Sequence, residues 1–144
     1  MDVFVANEQE HAVDEARLSE LARHVLAAEE VDDEAELSIL LIAPDHIRKL
    51  NARFAGDDYA TDVLSFPMLE DDEVSLMLGD VVICPEIAKT NAAKIGHDLG
   101  VEIDTLLVHG TLHLLGYDHD EEEAKARMEG RQRELLASFR TVAS

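Results

Sequence analysis

At 144 residues, 47% of them hydrophobic, the chain has the size of one domain and enough apolar material for a real core without staples. Twelve Lys and Arg against 32 Asp and Glu leave a formal charge of −20, a field that repels polyanions, so any nucleic-acid contact has to be local; solubility, or a host cytoplasm salty enough to screen the repulsion, are two readings of that charge. No stretch approaches the roughly 20 apolar residues that span a bilayer, the start Met1-Asp2-Val3-Phe4-Val5 lacks the build of a signal peptide, and the lone Cys84 forms no internal disulfide. The expected setting is the cytoplasm, with no membrane partner.

In chain order, residues 2–6 alternate and predict a short strand. From about Asp14 to Glu29, Leu18, Leu21, Ala22, Val25 and Leu26 recur at helical spacing, and acidic residues 29–36 follow as a connector. Residues 36–43 are short, aliphatic and partly β-branched, which suits an interior strand. Pro44 then starts a helix, where its missing N–H costs nothing, with Ile47, Leu50 and Phe54 as the expected buried stripe. Residues 56–60 read as a turn, 61–66 as a strand ended by Pro67, and the acidic 69–75 as a hairpin-like excursion. Another strand over 79–84 leads into a helix from Pro85 to about Lys94, before Gly96. A further helix runs from about Glu102 to Leu115 and stops at Gly116. Asp120 is the expected N-cap of the last helix, with Glu123 completing a capping box. This order predicts one α+β domain over 1–144, a small mixed sheet of about four strands covered by about five helices.

The segment His109-Gly-Thr-Leu-His113-Leu-Leu-Gly116-Tyr-Asp-His119 carries the chemistry. Residues four apart on a helix lie one above the other, so His109 and His113 can aim two imidazoles at one point. Gly116 permits the left-handed backbone that reverses the chain and brings His119 in as a third ligand. Three neutral imidazoles leave one tetrahedral position open, the arrangement of catalytic rather than structural zinc, in a cleft formed by a helix and the turn after it. Zinc proteases of similar spacing place Glu after the first His as general base. Gly110 stands there instead, which argues against peptide hydrolysis. His11, His24, His46 and His97 have no such setting and read as solvated or locally hydrogen-bonded.

These residues resemble the YbeY family of bacterial endoribonucleases, whose signature His-Gly-x-x-His-Leu-x-Gly-Tyr-Asp-His is matched throughout 109–119. Two more blocks match: Leu50-Asn51 with Thr61-Asp-Val-Leu-Ser-Phe-Pro67, and Gly79-Asp80 followed by an aliphatic strand and Pro85-Glu86. With Met128 and Gln132 the likeness covers most of 36–136. It implies a mixed sheet with helices around a zinc-binding cleft and one Zn²⁺, or another divalent ion, per chain. It further implies single-stranded RNA as substrate, with a part in ribosome quality control and ribosomal RNA maturation (the 3′ end of 16S rRNA), and the ribosome or its proteins as partners. One departure is Phe54-Ala55-Gly56, where many members carry Tyr-Arg-Gly with an arginine that helps hold phosphate; Arg53 lies two positions earlier, on a different helical face. Two rival readings are a non-enzymatic, metal-stabilised ribosome-assembly factor and a metal-dependent hydrolase of another phosphoester.

Several further residues carry two readings each. Arg48, Lys49 and Arg53 form the one basic cluster without an acid, either an RNA phosphate contact or cations complementing a helix dipole. Asp62 and Asp80 either orient a ligand imidazole, as carboxylates do around zinc, or cap turns. Asp118 is a candidate proton acceptor or closes the turn after Gly116. Ser65 reads as a strand-edge hydroxyl and Cys84 as core.

Overall fold

The computed structural model describes residues 1–68 and 77–143 of the chain. The elements run β1 (Asp2–Glu8), α1 (Glu15–Ala28), β2 (Glu36–Ile42), α2 (Pro44–Ala55), β3 (Val63–Pro67), β4 (Met77–Ile83), α3 (Pro85–Ile95), α4 (Leu99–Leu114) and α5 (Glu122–Ala143). The four strands form one sheet in the order β1-β2-β4-β3. β1 pairs parallel with β2, β2 parallel with β4, and β3 antiparallel with β4. The α+β mixed sheet expected from the sequence is the one observed. The expected acidic excursion at 69–75 lies outside the described residues.

The aliphatic run of β2 has a plain cause: both its faces are covered. Leu37, Ile39 and Leu41 point, with Val81 and Ile83 of β4, into the larger core, where α1, α4 and α5 bring Leu21, Val25, Leu107, Leu112, Met128 and Leu135. Ile42, with Val82 and Cys84, points the other way against Ile47 of α2. A strand buried on both sides cannot alternate apolar with polar. Each fully buried Leu or Ile adds roughly 1.5–3 kcal/mol relative to leaving it in water. Among the described residues, no helix is long and apolar enough to cross a membrane.

Three expectations need correction. In α2 the buried positions are Ile47 and Asn51, while Phe54 is 60% exposed. Asn51 tolerates burial because its Nδ2 donates to the Tyr59 carbonyl at 3.0 Å, which leaves no donor stranded. α4 begins at Leu99, three residues before the expected start at Glu102: Leu99 packs against the larger core, and the Glu102 N–H donates to the Asp98 carbonyl at 3.1 Å to close the extra turn. α5 begins at Glu122 instead of being capped by Asp120. The Asp118 carboxylate accepts from the backbone N–H of His119 at 2.6 Å and of Asp120 at 3.2 Å, so 118–120 close a turn of their own before the helix starts.

The feature that places the site is the approach of α4 to the sheet. A Cβ on Gly110 would lie 2.7 Å from Val81 Cγ1 and 3.1 Å from Ser65 Oγ. Only a residue without a side chain lets the helix lie this close. The Ser65 hydroxyl fastens the contact by donating to the Gly110 carbonyl at 3.0 Å. His109 and His113 flank that point, at the edge where β3 ends the sheet.

Candidate metal centre

Two turns of α4 and the reversal after it assemble the three imidazoles. His109 and His113 are one turn apart, their ring centres 4.6 Å from each other. The helix ends in a Schellman motif: Tyr117 N–H donates to Leu112 O at 3.0 Å and Gly116 N–H to His113 O at 3.1 Å, with Gly116 at φ +101°. A side chain at 116 would strain that backbone. The reversal returns the chain across the helix end and sets the His119 ring 4.7 Å from His113 and 5.7 Å from His109. One ligand atom from each ring lies within 4.8 Å of the others, and among the described residues no other His, Cys, Asp or Glu group does this. These three histidines could form a metal site.

The hydrogen bonds around the rings decide which nitrogens are free. His113 Nδ1 is 3.1 Å from the Tyr117 carbonyl, which can only accept, so the proton sits on Nδ1 and Nε2 carries a lone pair. Gln132, assigned with its Oε1 toward His109 Nδ1 at 3.2 Å, imposes the same tautomer on His109. The two Nε2 atoms then face each other at 3.1 Å with no proton between them. Two lone pairs at that distance repel unless a cation lies between them and His119. In a tetrahedral zinc site with Zn–N bonds of about 2.0–2.1 Å, neighbouring nitrogens are roughly 3.3–3.4 Å apart; the His109–His113 pair is close to that at 3.1 Å, and a His119 nitrogen lies within 4.8 Å of both. The donor set fits a divalent cation.

Electrostatics point the same way. Burial pushes the His109 imidazole below the ordinary histidine range, and the neighbouring charge of His113 adds to it. Burial likewise lowers His113, with His119 as the second cause. Both rings are therefore neutral near pH 7, the form that binds metal. Opposite them Val63, Leu64, Ser65 and Pro67 of β3 complete a cleft of ≈ 390 Å³.

The remaining candidates divide. Asp118 stands beside His119, exposed, and is held below the usual carboxylate range chiefly by the His119 backbone N–H. Asp62 accepts from Asn91 Nδ2 at 3.3 Å and Thr61 Oγ1 at 3.4 Å, and its charge reaches His109 only as a minor influence. Asp80 is exposed on β4 and alternates with Val81, so it faces away from α4. The Nδ1 positions expected for these two carboxylates are taken by Gln132 and the Tyr117 carbonyl. Arg48, Lys49 and Arg53 lie on α2, which packs on the face opposite the larger core; Arg48 is ion-paired with Asp58 at 2.7 Å. Cys84 is buried, and burial pushes its thiol up.

Sequence reasoning gave no role to Gln132, although it lay within the matched stretch, and missed the Tyr117 brace altogether. The Tyr117 hydroxyl donates to Glu29 at 3.1 Å, and Arg131 Nε donates to the same carboxylate at 2.6 Å. That brace ties α1, the reversal and α5 together and fixes the carbonyl that orients His113. A backbone carbonyl has no sequence signal, and Glu29 lies 88 positions from Tyr117.

The family model described as Endoribonuclease YbeY matches residues 4–140. A protein named Endoribonuclease YbeY from Frankia casuarinae is 45% identical over 96% of this chain and 75% of its own length. One from Thermobifida fusca is 45% identical over 97% of this chain and 95% of its own. One from Salinispora tropica is 42% identical over 100% and 99%. A solution structure of a protein from Thermotoga maritima superposes with a TM-score of 0.62 at 26% identity, covering 96% of this chain and 92% of that one.

Proposed function

The chain belongs to the YbeY endoribonuclease family, and from that premise we propose that it cleaves single-stranded RNA internally with one Zn²⁺ held by His109, His113 and His119. The cellular role that follows is ribosomal RNA maturation, at the 16S 3′ end, and ribosome quality control in the cytoplasm. The observation that carries the reading is the pair of neutral imidazoles with facing Nε2 lone pairs 3.1 Å apart, beside a third ring and an open cleft.

Zn²⁺ in that triad would supply positive charge against a non-bridging phosphate oxygen and the developing charge of the transition state. The chain's own residues do the rest. Gln132 and the Tyr117 carbonyl keep the Nδ1 protons of His109 and His113 and so hold both Nε2 lone pairs on the cleft side. Val63, Leu64, Ser65 and Pro67 wall the cleft. A groove of this size accepts a splayed strand, not a duplex. Asp118, an exposed carboxylate held in its ionised form beside His119, is the candidate proton acceptor. Asp62, in the turn before β3, and Asp80, exposed within β4, are retained as structural residues. Lys49 and Arg53, with Arg48 neutralised by Asp58, are the candidate RNA contacts on α2. The nucleophile is water or the ribose 2′-OH, and a 2′,3′-cyclic phosphate end on the product identifies the latter.

The second reading is a metal-stabilised, non-enzymatic ribosome-assembly factor, which Ala55 in place of the family's phosphate-holding arginine favours. A single comparison separates them: zinc-loaded wild type and His113→Ala on a single-stranded RNA, with metal content measured on both. Cleavage by the wild type that disappears in the variant and under chelation supports the nuclease. Equal cleavage by the two overturns it. A loaded wild type that binds RNA and leaves it intact supports the assembly factor.

A further inference from the structure

The C-terminal end of α2 carries what a −20 chain otherwise lacks. Between His46 and Gly56 stand Arg48, Lys49 and Arg53 and no acid. Arg48 is taken up by Asp58; among the described residues Lys49 and Arg53 have no ion pair. The Arg53 guanidinium lies 5.1 Å over the Phe54 ring. Phe54 in turn meets Phe66 of β3 edge-on at 5.4 Å, yet remains 60% exposed. Tyr59, 57% exposed, sits on a backbone held by Asn51, whose amide donates to the Tyr59 carbonyl. Phe54 thus presents an exposed ring beside a cation, and Tyr59 exposes its ring from a backbone braced on the same helix.

The position of this patch matters as much as its composition. Phe66 lies between Ser65 and Pro67, which line the histidine cleft. Among the described residues β3 is the edge of the sheet, with β4 as its one strand neighbour. One edge strand thus separates the aromatic patch from the triad, and a flexible polymer can pass around it. Exposed aromatic faces with an adjacent arginine are the recurring platform for unpaired bases, because every base has a π-face while a duplex keeps its bases stacked inside. The local positive charge complements a phosphate backbone that the rest of the surface repels.

We propose that Arg53, Phe54 and Tyr59 form a stacking platform for unpaired nucleobases of the RNA strand that enters the histidine cleft. This rests on the RNA reading above and adds to it a base-stacking subsite outside the cleft.

The test uses the full chain in chelator, so that binding is read without cleavage, with a labelled single-stranded RNA of roughly a dozen nucleotides and its duplex as control. Phe54→Ala and Tyr59→Ala each weaken binding of the single strand by about 5- to 100-fold. Phe54→Trp retains binding and, in a chain with no other Trp, gives an indole whose emission the single strand quenches and the duplex does not. Metal uptake equal to wild type shows that the variants are folded. Unchanged affinity in both alanine variants, or an indole indifferent to RNA, overturns the platform. If zinc-loaded wild type cleaves RNA while Phe54→Ala and Tyr59→Ala bind as it does, the platform falls and the nuclease stands. Binding that depends on Phe54 without cleavage by loaded wild type leaves the platform and removes the nuclease.

Discussion

The two faces of the sheet solve opposite problems. On the α4 face, His109 and His113 are half-buried, neutral and tied at Nδ1 to Gln132 and the Tyr117 carbonyl. On the α2 face, Arg53, Phe54 and Tyr59 are exposed and held mainly through their backbone and through ring contacts. The first arrangement is pre-organised for a small cation, whose position tolerates little error. The second leaves freedom for a polymer whose register varies. Rigidity is concentrated where bond lengths matter.

That contrast can be broken most severely from the core. Leu107→Ala, at a side chain with no exposure, should lower stability by about 2–5 kcal/mol in urea unfolding while leaving the metal ligands in place. A loss below about 1 kcal/mol would mean the larger core repacks freely. Next comes Gly110→Ala. The added Cβ meets Val81 of β4 at 2.7 Å and Ser65 of β3 at 3.1 Å, so α4 must shift from the sheet. We expect about 1–3 kcal/mol of destabilisation, together with weaker zinc binding in a chelator competition. Full affinity in that variant would show that the close approach does not position the site. Gln132→Ala should reduce zinc affinity by about 10–100-fold with a smaller effect on unfolding, while Gln132→Glu, which keeps an acceptor at Nδ1, should restore most of it.

A pH series sharpens the same comparison. The folded pKa values of His109 and His113 are lowered, so the unfolded chain binds protons that the folded chain refuses. Metal-free stability should therefore be highest above the unfolded histidine value of about 6.5, fall as the pH drops through it, and level off below the folded values. Urea midpoints across that range measure the slope. A His109→Ala/His113→Ala double variant should lose most of it. If that variant titrates like wild type, the source lies in other groups. The smallest effect is expected on the α2 face: Arg48→Ala removes an exposed pair with Asp58 and should leave the unfolding midpoint within error.

Most of the elements were legible because their cues are local. Pro44 and Pro85 open α2 and α3 where the sequence places them. The aliphatic residues 39–42 of β2 announced an interior strand. Misreadings arose where a distant partner intervened. Asn51 replaced Phe54 in the buried stripe because the Tyr59 carbonyl was waiting for it. Asp118, rather than Asp120, became the carboxylate that collects backbone N–H groups. For Asp62 and Asp80 the chain alone left two readings open, a partner for an imidazole or a turn cap. Strand alternation turned Asp80 away from α4, and Asn91 engaged Asp62.

The convergence of His109, His113 and His119 was readable without coordinates, because a four-residue helical step and a glycine reversal are set by backbone geometry within eleven consecutive positions. Which groups hold the Nδ1 protons, how closely α4 lies on Ser65 and Val81, and that an aromatic patch stands one edge strand from the cleft were settled only by packing. Those outcomes join residues far apart in the chain, and the free energy that selects them comes from burial and hydrogen-bond satisfaction across the whole core, which no local pattern encodes.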